Sequence, residues 1–179
     1  MGVAFACAGG AALILLVLNP WVNPGPLWYW QKRVGRHDTL FVMLKFRTMR
    51  PKIGQAKFAV AEGHRITDFG AFLRRFRIDE LPQIINVLRG EMSLIGPRPE
   101  QPEFARQYRL SLPDYNQRHV VRPGVSGLSQ VLQGYTSDAQ GTRVKLTHDL
   151  RYISNSGFRM EAYVFWRTLV TVVTGYGAI

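Results

Sequence analysis

The sequence has a single cysteine, Cys7, set inside an apolar run, so no disulfide can form within the chain and no cysteine–histidine metal cluster can be built around it. Acidic residues are scarce, 12 Asp and Glu against 23 Lys and Arg, for a formal net charge of +11. That balance calls for anionic partners: phosphate-bearing substrates, nucleic acid or the acidic face of a membrane. Glycine-rich nucleotide fingerprints are absent, with neither Gly-x-x-x-x-Gly-Lys nor a Gly-x-Gly-x-x-Gly after a strand, so any nucleotide is held in another way. Internal repeats and low-complexity tracts are missing too. At 179 residues the chain suits one domain with its own core, and is too short for two ordinary domains plus a bundle of spanning helices.

No Lys or Arg precedes the first apolar run, Val3 to Leu18, which argues against a secretory signal. The run is borderline for a spanning helix, which needs about 20 apolar residues. It lacks a polar face, which argues against a core helix. Asn19-Pro20-Trp21 and Pro24-Gly25-Pro26 follow. Two membrane readings remain: one helix spanning through Trp30, or, preferred here, a helix broken at Asn19-Pro20 that re-enters on the same face. Behind Trp28-Tyr29-Trp30 stands the basic group Gln31-Lys32-Arg33-Val34-Gly35-Arg36, the pattern expected where a chain meets the cytoplasmic side of a bilayer. The expected division is therefore residues 1–30 as a re-entrant membrane helix and 31–179 as a cytoplasmic catalytic domain.

Residues 38 to 50 read as a strand that carries Lys45, Arg47 and Arg50 toward its end, and 51 to 66, with Pro51, Gly54 and Gly63, as a loop. Thr67-Asp68 offers a cap for a short helix with Phe69, Phe72, Leu73 and Phe76 on one face and Arg74, Arg75 and Arg77 off it. Such a helix suits an anionic membrane or phosphates, and equally a plain surface position. In Asp79-Glu80-Leu81-Pro82, Asp79 fits a cap, Pro82 a first helical turn and Gly90 a stop. Two adjacent carboxylates at a helix start suit catalysis beside phosphates, though Asp and Glu also stand there for stability alone. Pro97-Arg98-Pro99 stiffens the backbone around an arginine suited to bidentate phosphate binding. Arg122 to Gln130 reads as a turn into a short strand, Val144 to Ile153 as a helix bearing Asp149, and Phe158 to Val173 as an apolar helix, half-sunk in a membrane interface or packed in the core. The fold class is α+β, mainly helical, with a short sheet.

Taken in order, these segments resemble the bacterial sugar transferases known as monotopic phosphoglycosyl transferases, from about Leu13 to about Leu169. The matching runs are Pro24-Gly25-Pro26, Gln31 to Arg36, Lys45-Phe46-Arg47-Thr48-Met49, Leu73-Arg74-Arg75 through Asp79-Glu80-Leu81-Pro82-Gln83, Asn86 to Glu100 and Arg122 to Gly127. Each is weak alone; the ordered set is specific.

The resemblance implies a covalent mechanism in the bacterial inner (cytoplasmic) membrane, at its cytoplasmic face. Asp79 attacks the sugar-linked phosphorus of a UDP-sugar and expels UMP, and polyprenyl (undecaprenyl) phosphate then takes the phosphosugar. Glu80 holds Mg²⁺. The resemblance further points to Lys45, Arg74 and Arg98 as phosphate-binding residues, to Asp149 as a lesser metal or structural candidate and Arg47 as a possible site residue, and to a membrane helix broken at Pro20, where Asn19 stands in place of a more familiar Ser. Some relatives carry spanning helices and a further domain ahead of this unit, so the chain is expected to be either a minimal member or a catalytic fragment. Membrane lipids are expected partners, and oligomeric state stays open, a homodimer included. Nucleic acid is not expected, since the basic residues are spread without a recognition-helix pattern.

Overall fold

The structure, a computed structural model, describes residues 10, 19, 21–23, 25–50, 64–133 and 139–174. Pro20, nearly all of the first apolar run and most of the expected 51–66 loop lie outside these residues. The architecture is α+β and mainly helical, with two small sheets. Among the described residues no helix is long and apolar enough to cross a membrane.

Strand β1 (Trp28–Val34) pairs antiparallel with β2 (Leu40–Phe46), from Trp28 opposite Phe46 to Val34 opposite Leu40. Trp28, Tyr29 and Trp30, expected as the end of the membrane segment, are thus the first residues of a strand, and the boundary expected after residue 30 falls inside it. Their aromatic rings and the alternating chain suit a pleated ladder. Phe41 and Met43 are buried while Leu40 and Val42 are exposed, the alternation of a half-buried strand; from Leu44 onward both faces are covered.

Helix α1 (Asp68–Arg75) starts as its sequence dictates, with the Thr67 hydroxyl accepting from the Gly70 amide at 2.9 Å. Gly70 presses on β2's exit: a Cβ there would lie 2.1 Å from the Thr48 carbonyl oxygen. Leu73 packs with Phe46, whereas Phe72 and Phe76 remain exposed, so only part of the apolar face enters the core. A 3₁₀ turn, Ile78–Glu80, leads to α2 (Gln83–Leu88), which Gly90, at φ 74°, ends as expected.

Strand β3 (Ser93–Ile95) pairs in parallel with β4 (Gly124–Ser126). Between them run α3 (Pro102–Ser111) and a 3₁₀ turn, Tyr115–His119. Helices α4 (Leu128–Leu132), α5 (Ala139–Ser154) and α6 (Phe158–Thr174) complete the order. On α6 the rings of Phe158, Phe165 and Trp166 and the side chains of Leu169 and Val173 are exposed, while Val164 is fully buried. So large an exposed apolar surface is unusual for a helix facing water alone.

The interior is divided into several small apolar clusters. Buried polar groups stitch them together. Asn86, fully buried on α2, donates through Nδ2 to the Val42 carbonyl (2.8 Å) and to Glu91 (2.7 Å), and its Oδ1 accepts from the Leu44 amide (3.1 Å). One carboxamide thereby satisfies two backbone groups on the open edge of β2 and fixes that strand, with Lys45 on it, beside α2.

Candidate active site

Asp79 and Glu80 lie on the 3₁₀ turn, one turn ahead of α2. The helix-start position belongs to Pro82, and no side chain caps it, so Asp79 is not the cap that its spacing predicted. The cause is Arg77, which adopts left-handed backbone angles (φ 56°, ψ 19°) and reverses the chain after α1. That conformation costs a non-glycine residue on the order of 1 kcal/mol. It turns both carboxylates inward, and both residues are only 6% exposed.

Glu80 is paired twice. Its Oε1 accepts from Lys45 Nζ at 2.8 Å and from Arg98 Nη2 at 2.7 Å. Asp79 is paired weakly: Oδ2 lies 3.9 Å from Lys45 Nζ, and Oδ1 is buried with no hydrogen-bond partner. The electrostatics separate the two acids accordingly. Burial pushes the Asp79 carboxyl upward; Lys45 opposes this, Glu80 adds to it, and Arg74 and Arg98 offset too little to reverse it. Burial acts to raise Glu80 as well, but Arg98, Lys45 and Arg77, with the Arg98 hydrogen bond, hold it far below the usual carboxylate range. Adjacent carboxyls driven apart in this way are suited to different roles. Four cations, Lys45, Arg74, Arg77 and Arg98, act on the two carboxylates.

Arg98 is held from behind. The Pro97, Arg98, Pro99 and Glu100 carbonyls accept, in order, from the Gly124 amide (3.0 Å), Arg118 Nη2 (2.7 Å), Arg33 Nη1 (3.0 Å) and the Val34 amide (2.9 Å). Two of these four residues are prolines with no N–H, so the segment's carbonyls are its main backbone demand, and all four are met. Arg118 also donates to Asp149 Oδ2 (2.7 Å) and to the Tyr115 hydroxyl (3.0 Å). Glu100 pairs with Lys145 and, at 3.8 Å, with Arg118. Burial would raise the Glu100 carboxyl, but Lys145 and Arg118 bring it down to about 2.

Of the residues expected from sequence, Lys45, Asp79, Glu80 and Arg98 come together. Arg74 stands at the edge, with Nε donating to Thr48 Oγ1 at 2.9 Å. Asp149 is tied to Arg118 and to Ser129 (3.0 Å), supporting Arg98 from the interior. Arg47 serves the backbone: it donates to the Pro26 (2.6 Å), Met49 (3.2 Å) and Asn23 carbonyls and pins the chain ahead of β1. Asn19 donates to the Gly25 carbonyl (2.6 Å) and Asn23 to the Arg47 carbonyl (2.9 Å). Arg77, Asn86 and Arg118 received no individual role from the sequence. The bonds from Arg118 to Arg98 and Asp149 and from Asn86 to Val42 reach partners 20 to 44 residues away, which no local spacing reveals.

Two adjacent buried carboxylates, one with an unpartnered oxygen, match the one or two carboxylates that usually anchor Mg²⁺ while phosphates and water fill its other positions. Among the described residues no group of three or more His, Cys, Asp or Glu gathers into an all-protein cage.

A family model described as bacterial sugar transferase matches residues 2–175. The chain is 45% identical over 170 residues to a UDP-N-acetylgalactosamine-undecaprenyl-phosphate N-acetylgalactosaminephosphotransferase of Aeromonas hydrophila, across 94% of this chain and 40% of that one. It is 38% identical to a UDP-glucose:undecaprenyl-phosphate glucose-1-phosphate transferase of Xanthomonas campestris pv. campestris, across 84% of this chain and 32% of that one. It is 36% identical to the exopolysaccharide production protein PSS of Rhizobium leguminosarum bv. phaseoli, across 89% of each. The chain thus spans less than half the length of the first two relatives and most of the third.

Proposed function

The chain belongs to the bacterial sugar transferase family, and from that premise we propose that it transfers a sugar 1-phosphate from a UDP-sugar to polyprenyl (undecaprenyl) phosphate, releasing UMP, as an early membrane step of glycan assembly. The names of its relatives supply the substrate class. The observation that carries the reading is the unequal pair of buried carboxylates: Glu80 held ionised by Lys45 and Arg98, and Asp79 beside it with one oxygen unpartnered.

Asp79 acts as the nucleophile. Its unpartnered oxygen forms a bond to the sugar-linked phosphorus while the bond from that phosphorus to the UMP oxygen breaks, leaving a phosphosugar on the carboxylate. A phosphate oxygen of the acceptor then attacks the same phosphorus, the aspartyl bond breaks, and polyprenyl diphosphate sugar leaves. Lys45, Arg74 and Arg98 bind phosphate oxygens; the pairing of Lys45 and Arg98 with Glu80, beside Asp79, supports this reading. Glu80 would hold Mg²⁺, which when bound neutralises charge on the diphosphate.

The same reading places the protein at the cytoplasmic face of a bacterial inner membrane, with its first segment re-entrant. The exposed apolar face of α6 and the carboxamides of Asn19 and Asn23, bonded back to the chain beside Arg47, support it. An engineered cysteine at position 2, in a Cys7→Ser background, is protected from an impermeant thiol reagent in intact cells if the segment returns, and labelled if it spans.

A panel of UDP-sugars assayed for UMP release with undecaprenyl phosphate tests the activity. Incubation without the acceptor should attach labelled sugar phosphate to the wild-type protein and leave the Asp79→Asn protein unlabelled. Absence of UMP from every donor overturns the reaction; turnover without a trapped adduct overturns the covalent step.

A further inference from the structure

Next to Glu80 the structure contains a cavity of about 230 Å³ whose lining is mostly apolar, with Arg77 and Glu80 as its charged residues. We propose that it takes the first isoprene units of the acceptor lipid, an inference that rests on the reaction proposed above.

Along the walls lie Leu81, Ile84, Leu94, Val125, Val131 and Val172, drawn from five separate parts of the fold. A UDP-sugar carries polar groups along its whole length and has no use for such walls. Polyprenyl phosphate matches them, because it joins a charged phosphate to hydrocarbon within a few bonds, and the lining joins Arg77 to apolar side chains. Arg77 and Glu80 both line the cavity and share one turn of chain, so a phosphate beside Arg77 lies near the carboxylate pair that carries the reaction.

Size limits what enters. The cavity is smaller than the roughly 300–1,000 Å³ of sites that enclose a whole drug-sized ligand, so it accommodates the head of the tail and leaves the rest outside. Helix α6 explains where the rest goes: Thr171 and Val172 face the cavity, while Phe165, Trp166, Leu169 and Val173 on the same helix are exposed. A tail leaving the cavity continues in the apolar phase that the outer face of α6 suits. Gln130 also lines the cavity; it is 8% exposed, and its Oε1 has no hydrogen-bond partner, an acceptor left over for the hydroxyl of a singly protonated phosphate.

The test uses a farnesyl phosphate with a diazirine in its first isoprene unit, photolysed with the intact protein in detergent. Labelled peptides should come from residues 81–94, 125–131 or 168–172, and undecaprenyl phosphate should suppress the labelling. Two variants extend it: Thr171→Phe fills the cavity, and Leu94→Gln makes an already exposed wall residue polar. Both should raise the KM for undecaprenyl phosphate about tenfold and leave single-turnover UMP release without acceptor within twofold of wild type. Labels elsewhere, or an unchanged KM in both variants while UMP release is normal, overturn the cavity assignment and leave the reaction standing. Labelling that undecaprenyl phosphate does not compete, but a diacyl phospholipid does, also overturns it. Failure of the wild-type protein to release UMP overturns the reaction, and the photolabel then reports on the cavity by itself.

Discussion

Arg118 donates to the backbone carbonyl of Arg98 at 2.7 Å, so one buried guanidinium holds in place the residue whose own guanidinium pairs with Glu80. Arg118 is in turn anchored by Asp149 at 2.7 Å. Breaking a buried pair by removing one partner strands the other's charge, at a cost of about 3–5 kcal/mol. Arg118→Met should lower the unfolding free energy by that order in urea titrations, whereas Arg118→Met/Asp149→Leu should regain more than half of the loss. A double variant no more stable than the single one would show that the pair is not the source of the effect.

Asp79 should answer the removal of its two charged neighbours, Lys45 and Glu80, in opposite directions. Lys45 lowers the Asp79 value and Glu80 raises it. Carbon-13 NMR of labelled aspartate side chains should therefore show Asp79 titrating higher in Lys45→Met than in wild type, and lower in Glu80→Gln. Shifts of the same sign in both variants would contradict the charge arrangement described here.

Asp79→Asn should abolish turnover and stabilise the fold. A carboxyl raised in the folded state binds its proton more tightly there than in the unfolded chain, so it contributes stability at low pH that is lost as pH rises through the folded value. The Asn variant has no such loss. Its melting temperature should exceed that of wild type at pH 7, with each kcal/mol worth about 2–4 °C in a chain of this length, and the gap should close as pH falls toward the ordinary aspartate value of about 3.9. A gap that widens on acidification would refute the raised value.

Gly70→Ala places a methyl 2.1 Å from the Thr48 carbonyl oxygen, on backbone that cannot rotate away. Helix α1 must then shift from the end of β2, and the bond from Arg74 Nε to Thr48 Oγ1 loosens. We expect a loss of roughly 1–3 kcal/mol, the usual cost of overpacking, read in thermal melts. Unchanged stability would mean that α1 can move freely against β2.

Local chemistry was legible in the sequence where its causes are local. Thr67 caps α1 and Gly90 ends α2 because capping depends on residues three or four apart, and the ordered motifs pointed to the family and to Lys45, Asp79, Glu80 and Arg98. Tertiary structure decided the rest. Asp79 sits on a 3₁₀ turn because Arg77 accepts a left-handed conformation, which pattern alone does not foretell. Trp28–Trp30 form part of a strand because β2 lies alongside to pair with them, a partner that the local run of aromatic and basic residues does not show. Arg47, a possible site residue by resemblance, donates to three backbone carbonyls, and Arg118, which received no individual role from the sequence, supports Arg98. A cation's role depends on which buried acceptors the folded chain brings to it, and those acceptors come from segments tens of residues away.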